Sequence, residues 1–236
     1  MQTFLISNNN IELKYRSLEF RLVFFYIKRK VFMDKYYFNL MQFFEGYVRN
    51  YRRMNLSHLH NVSMFTKREI DFFAQLGEML GFDAFIEDSK FDKSKGRSRP
   101  MDLSWWKWDA RFNDEHFLYL ALHLERESIP KKDVETIEKL FSQTEEGYIP
   151  HNVIGIQYIK SAERVDYLNE LILRKNKIQK SNVLMVYRYH DDEFDLQRVR
   201  AYSITPEGLN EKRDAIFKYD QSGYCYMCFD EDFAPL

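Results

Sequence analysis

The sequence predicts an α/β fold: three α/β/α layers around a mixed central sheet, preceded by an N-terminal helical extension. Three observations carry the prediction. Apolar residues fill 45% of 236 positions, enough for one sizeable core. From Thr66 onward the periodicities read helix, three strands, helix, strand, helix and hairpin. Three strands in succession form an antiparallel meander, and the helix after the third permits a crossover to a parallel strand. This order divides the chain into an extension with an amphipathic helix over 1–60 and the main domain over 61–236.

The elements follow in turn. Residues 1–32 mix basic and aromatic residues around Asn8-Asn9-Asn10, and the cleaner pattern opening at Met33 is expected to mark either a biological start at Met33 or a detachable extension before it. Asp34 can cap a helix to about Arg53, with Tyr36, Tyr37, Leu40, Met41, Phe44, Tyr47, Val48 and Tyr51 as its apolar stripe. Thr66-Lys-Arg-Glu69 has the capping-box pattern and opens a second helix that Gly81 stops. Strands are expected over Phe82–Asp88, Met101–Trp108 and from Phe117. A helix capped by Asp133 follows and ends near Gly147. Asn152–Ile159 is an apolar strand, Ser161 caps a helix, and Val183–Tyr189 pairs with Leu196–Ile204 around His190-Asp-Asp-Glu193. Tyr224–Phe229 reads as a strand edge.

Composition narrows the function classes. Thirty-five basic residues nearly cancel thirty-six acidic ones, so a nucleic-acid binder would need its cations gathered on one face. The apolar run Leu22–Ile27 lies between Arg21 and Lys28, far short of the ~20 residues that span a bilayer. Two cysteines, Cys225-x-x-Cys228, form no disulfide framework, and a reducing, cytoplasmic setting is expected. The pair lacks the partner ligands of a structural zinc site and is read as two small apolar residues. Trp105, Trp106 and Trp108 are expected to pack, with Trp105 and Trp106 on opposite faces. Neither a phosphate-binding Gly-rich loop nor a Gly-x-Ser-x-Gly elbow is present.

The chemistry concentrates on Phe117-Leu-Tyr-Leu-Ala-Leu-His-Leu-Glu-Arg-Glu127. Strand alternation sends Leu118, Leu120, Leu122 and Leu124 to one face. Tyr119, Ala121, His123, Glu125 and Glu127 go to the other. Two acids thus end an otherwise apolar ribbon, and buried carboxylates need a cation, a basic partner or water. If the strand bearing Asp102 is a neighbour, Asp102 and Glu125 can converge on Mg²⁺ or Mn²⁺, which take oxygen ligands. The competing reading pairs them with Lys107, Arg111 or Arg126. His123 shares their face and is read first as a packed histidine. The loop from Lys90 to Pro100 places Lys93, Lys95, Arg97 and Arg99 just before Asp102, where they could meet a nucleic-acid backbone or simply be solvated.

These residues resemble the restriction-endonuclease-like nucleases, known for a Pro-Asp…Asp/Glu-x-Lys signature. Pro100-Met-Asp102 stands for the Pro-Asp, with one residue inserted, and Glu125-Arg-Glu127 for the Asp/Glu-x-Lys, with Glu127 in place of lysine. The resemblance implies a metal-dependent phosphodiesterase acting on nucleic acid, DNA before RNA, with room for a homodimer. It implies Asp102 and Glu125 as metal ligands alongside the Arg126 carbonyl, and Glu127 as a second-metal or water-orienting group. Glu69, on the first core helix ahead of Gly81-Phe82, is either a further site acid or the capping-box partner of Thr66. The rival from another class keeps the fold without the chemistry, as a binding module, and the missing lysine favours it.

Overall fold

The computed structural model describes residues 35–55, 62–88, 91–92, 97–98, 100–108, 117–142, 144 and 147–232, with only the backbone at 55, 62, 88, 91, 92, 97 and 98. The compact unit runs from Tyr36 to Leu236 and so takes in the amphipathic helix that the sequence grouped with the extension. Its helices are α1 (Leu40–Asn55), α2 (Val62–Met79), α3 (Asp133–Leu140) and α4 (Arg164–Gln179). Its strands are β1 (Asp83–Asp88), β2 (Phe91–Asp92), β3 (Arg97–Ser98), β4 (Met101–Trp108), β5 (Phe117–Glu127), β6 (Asn152–Tyr158), β7 (Asn182–Asp191), β8 (Leu196–Thr205), β9 (Gly208–Tyr219) and β10 (Cys225–Phe229). Eight strands form one sheet in the order β1-β4-β5-β6-β7-β8-β9-β10, and β2-β3 is a separate ribbon.

The pairing matches the expected mixed α/β sheet. β1, β4 and β5 are an antiparallel meander, β5, β6 and β7 are parallel, and β7 to β10 are antiparallel again. Parallel neighbours require a crossover, which α3 and α4 supply. The helices cover both faces. Phe44 and Tyr47 of α1 and Phe73 of α2 share a core with Leu124, Ile154, Leu184 and Val199. Ile137 and Leu140 of α3 and Leu168 and Ile172 of α4 pack with Val153, Val183 and Tyr187 on the opposite face. Among the described residues no helix is long and apolar enough to cross a membrane.

Several expectations are corrected. α1 starts at Leu40, and Tyr36–Phe38 form an extended strap instead of a first helical turn. The strap's backbone groups find partners across the sheet: Tyr36 N–H donates to His151 Nδ1, Phe38 N–H to Asn152 Oδ1, and the Asn152 and Asn182 amides donate to the Tyr36 and Phe38 carbonyls. These bonds meet the backbone's polar demand without a helix. α2 opens at Val62, so Thr66 lies a full turn inside it and Thr66–Glu69 is no capping box. Gly81 does end it, at φ +79°, with Phe82 N–H reaching back to the Gly77 carbonyl.

α3 ends at Leu140 rather than near Gly147. β9 is a strand that its polar middle, Asn210-Glu-Lys-Arg-Asp214, conceals in the sequence; β8 bonds that middle, and β10 bonds the stretch from Ala215 to Tyr219. Trp105 and Trp106 pack on opposite faces as the alternation requires, but Trp108 is 47% exposed. Cys225 and Cys228 sit three residues apart on extended β10, roughly 10 Å at strand rise, beyond the reach of a disulfide.

β5 departs most from simple alternation. Trp105 pairs with Leu122 and Trp106 with Leu120, leaving Ala121 as an extra residue in a bulge. Leu120 therefore packs with Met101 and Trp106, whereas Leu122 and Leu124 face the α1–α2 core. The four leucines do not share a face. Beyond the bulge the alternation resumes, with His123 and Glu125 on one face and Leu124 and Arg126 on the other.

Candidate functional site

Asp102 and Glu125 come together on the face covered by α3. Their strands are adjacent and antiparallel, with Leu103 opposite Leu124. The group joining them is one the sequence reading did not name: Lys139, near the end of α3. Its ammonium lies 3.3 Å from Asp102 Oδ1 and also bonds Glu125 Oε2. Two carboxylates reaching one nitrogen have their nearest oxygens within about 6.5 Å of each other, the sum of two hydrogen-bond lengths. Asp102 Oδ2 accepts the Arg126 backbone N–H at 2.7 Å. Glu125 Oε1 is 2.6 Å from His123 Nε2, and both side chains are buried.

The electrostatics follow from that burial. Asp102 is pushed above its ordinary carboxyl value, first by desolvation and then by the Glu125 charge. Burial alone would lower Lys139, but Glu125 and then Asp102 outweigh it and hold the ammonium above its ordinary value. Glycine makes this approach of α3 feasible. A Cβ on Gly155, which pairs with Glu125 across β5–β6, would stand 2.9 Å from Leu140 Cδ1 and 2.6 Å from the Met185 side chain.

The other expected residues go elsewhere. Glu127 turns to its own chain: Oε1 accepts the Ile129 N–H at 2.8 Å, and Oε2 is 3.8 Å from Lys132. Glu69 lies under α2 on the opposite face, buried and bonded to Arg126 Nε at 2.7 Å, Arg188 at 2.6 Å and Tyr47 Oη at 3.0 Å. Burial raises the Glu69 carboxyl above its ordinary value, and the Arg126 charge and hydrogen bond offset part of that rise. Desolvation lowers Arg188 to about 9, still cationic at neutral pH. Of the partners weighed for Asp102 and Glu125, Arg126 contributes only its backbone N–H, and Lys107 bonds the Gly81 carbonyl instead. Arg111, Lys93, Lys95 and Arg99 lie outside the described residues, and Arg97 is described by backbone alone.

Among the described residues no three of His, Cys, Asp and Glu form a ready-made metal cluster. Oxygen donors suited to a hard cation are nevertheless present in Asp102 and Glu125, and an ammonium already occupies the cation's place between them. One signal in the sequence pointed to Lys139: the crossover helix must lie over the strand it leaves, so a lysine on its sheet-facing side can reach an acidic strand end.

No protein-family model matches the chain, and no curated protein matches it. Among solved structures it is similar to the central domain of yeast acetyl-CoA carboxylase, at 8% identity and a TM-score of 0.35. That likeness covers 71% of this chain and 27% of the other, and is too slight to assign a fold family.

Proposed function

We propose that the chain is a Mg²⁺- or Mn²⁺-dependent phosphodiesterase acting on nucleic acid, DNA before RNA, with a restriction-endonuclease-like core. The observation that carries this reading is the meeting of Asp102 and Glu125 from adjacent strands at the Lys139 ammonium. The helix–meander–crossover order and the parallel β5–β6–β7 core support it further. Asp102 and Glu125 would hold the metal, which when bound would polarise a phosphoryl oxygen and offset the charge that builds on it.

The chain's own groups do the rest. Lys139 takes the place of the lysine absent at 127: once a cation satisfies the carboxylates, its ammonium is free to hold a phosphate oxygen or the attacking water's oxygen. His123 fixes Glu125 Oε1 and leaves Oε2 for the site. Glu127 stands at the rim, where it can hold a second metal or orient water after releasing the Ile129 amide. Glu69 is left as a core ion-pair member.

A second reading is favoured by the same lysine. Lys139 bonds both acids and offsets part of their charge without a metal, as a binding module that has lost its chemistry would require. Incubating purified protein with DNA and RNA in Mn²⁺ and Mg²⁺, alongside Asp102→Asn, Glu125→Gln and Lys139→Met, separates the two. Metal-dependent cleavage lost in all three variants is expected. Failure to cleave either substrate, with no Mn²⁺ uptake by calorimetry, would sink the enzyme reading.

A further inference from the structure

Gln157 is a second anomaly on the same face. It lies near the end of β6, paired in register with Glu127 on β5 and Tyr187 on β7. Alternation puts its side chain on the side of Val153 and Gly155, where α3 and α4 cover the sheet. It is fully buried, and neither its amide nitrogen nor its oxygen has a hydrogen-bond partner among the described residues. Polar groups of the elements on this face bond one another instead: Tyr187 Oη donates to Asn169, and Arg164 donates to Asp133. Around it β6 is apolar, with Val153, Ile154 and Ile156, so a leucine or methionine would be the unstrained choice for packing alone.

A buried carboxamide with both ends unpaired is disfavoured unless something outside the chain completes it. The neighbouring acidic strand end offers such a partner. Glu125 and Glu127 lie on the adjacent strand and the same face. A carboxamide presents an acceptor oxygen beside two N–H donors, which suits ordered water around a hard cation.

Resting on the metal-site reading above, we infer that Gln157 is a positioning residue of that site, its carboxamide holding a water on the Glu127 side of the Asp102–Glu125 pair. This makes the site wider than its two carboxylates: β6 contributes to it as well as β4 and β5.

Two variants of the full chain test this, read by Mn²⁺ calorimetry and by thermal unfolding with and without Mn²⁺. Gln157→Met removes the unpaired amide at similar volume. It should unfold no earlier than the parent yet bind Mn²⁺ about tenfold more weakly, the scale of loss when groups behind a metal's ligands are removed. Gln157→Glu adds a carboxylate, and Mn²⁺ should raise its unfolding temperature more than it raises the parent's. Mn²⁺ affinity unchanged in Gln157→Met, or a destabilised Gln157→Glu with no extra rescue by Mn²⁺, overturns the inference while the metal site stands. A parent chain that takes up no Mn²⁺ overturns both.

Discussion

Replacing Glu69 by glutamine tests whether this acid belongs to the core or to the site. Its carboxylate is 2% exposed and lies between two guanidinium groups, Arg126 at 2.7 Å and Arg188 at 2.6 Å, with the Tyr47 hydroxyl at 3.0 Å. Glutamine keeps the volume but removes the carboxylate that both guanidinium groups bond and turns an NH₂ towards a cation. Breaking a buried pair by removing one partner costs about 3–5 kcal/mol, because the other charge stays buried and uncompensated. Here two arginines are left so. In a unit of this size each kcal/mol moves the unfolding midpoint by about 2–4 °C, so the midpoint should fall by roughly 6–20 °C. Mn²⁺ affinity of the folded variant should not change, since Glu69 lies on the face opposite Asp102 and Glu125. Thermal unfolding by circular dichroism and Mn²⁺ calorimetry give the two readouts. A midpoint shift under about 2 °C with weakened Mn²⁺ binding would refute the core assignment and return Glu69 to the site.

Three further outcomes follow from the packing and the charges. Lys139→Met leaves Asp102 and Glu125 without their shared cation, so the metal-free protein should lose about 1–3 kcal/mol in chemical denaturation, and Mn²⁺ should stabilise it more than the parent. Gly77→Ala places a Cβ 2.5 Å from the ring of Trp105, which Phe82 stacks against and Phe38 and Phe43 flank; overpacking should exceed the gain in helix propensity and cost about 1–3 kcal/mol. Burial raises the Cys225 thiol from its ordinary 9 to about 11, so at pH 8 its thiolate is about a hundredfold scarcer and iodoacetamide should label it correspondingly slowly. The sign runs with the raised value: this burial favours the fold below pH 9, and the benefit fades as pH climbs towards 11.

Local pattern was legible wherever backbone geometry writes it into the sequence. The strand over Met101–Trp108 and the start of β5 at Phe117 follow from period-two alternation, and the stop at Gly81 from the need for positive φ. The acids Asp102 and Glu125 stood out because carboxylates ending apolar strands demand a partner. Local patterns also misled. Thr66-x-x-Glu69 fits a capping box that the helix does not use, since α2 gains a further turn by starting at Val62. The polar middle of β9 hid a strand held there by β8, because sheet bonding outweighs intrinsic preference.

The sequence by itself determined most of the elements and their order, the mixed α/β class and two of the acids that meet. Only the tertiary structure decided what those acids meet. The bulge at Ala121 put Leu120 and Leu122 on different faces. The close seat of α3 over Gly155 delivered Lys139 to carboxylates 37 and 14 positions earlier, and α2 carried Glu69 to arginines on the other side of the sheet. Periodicity is a property of neighbouring residues and survives in one dimension. Charge pairing across packed layers depends on which faces are brought within a few ångströms, and that is fixed when the layers close.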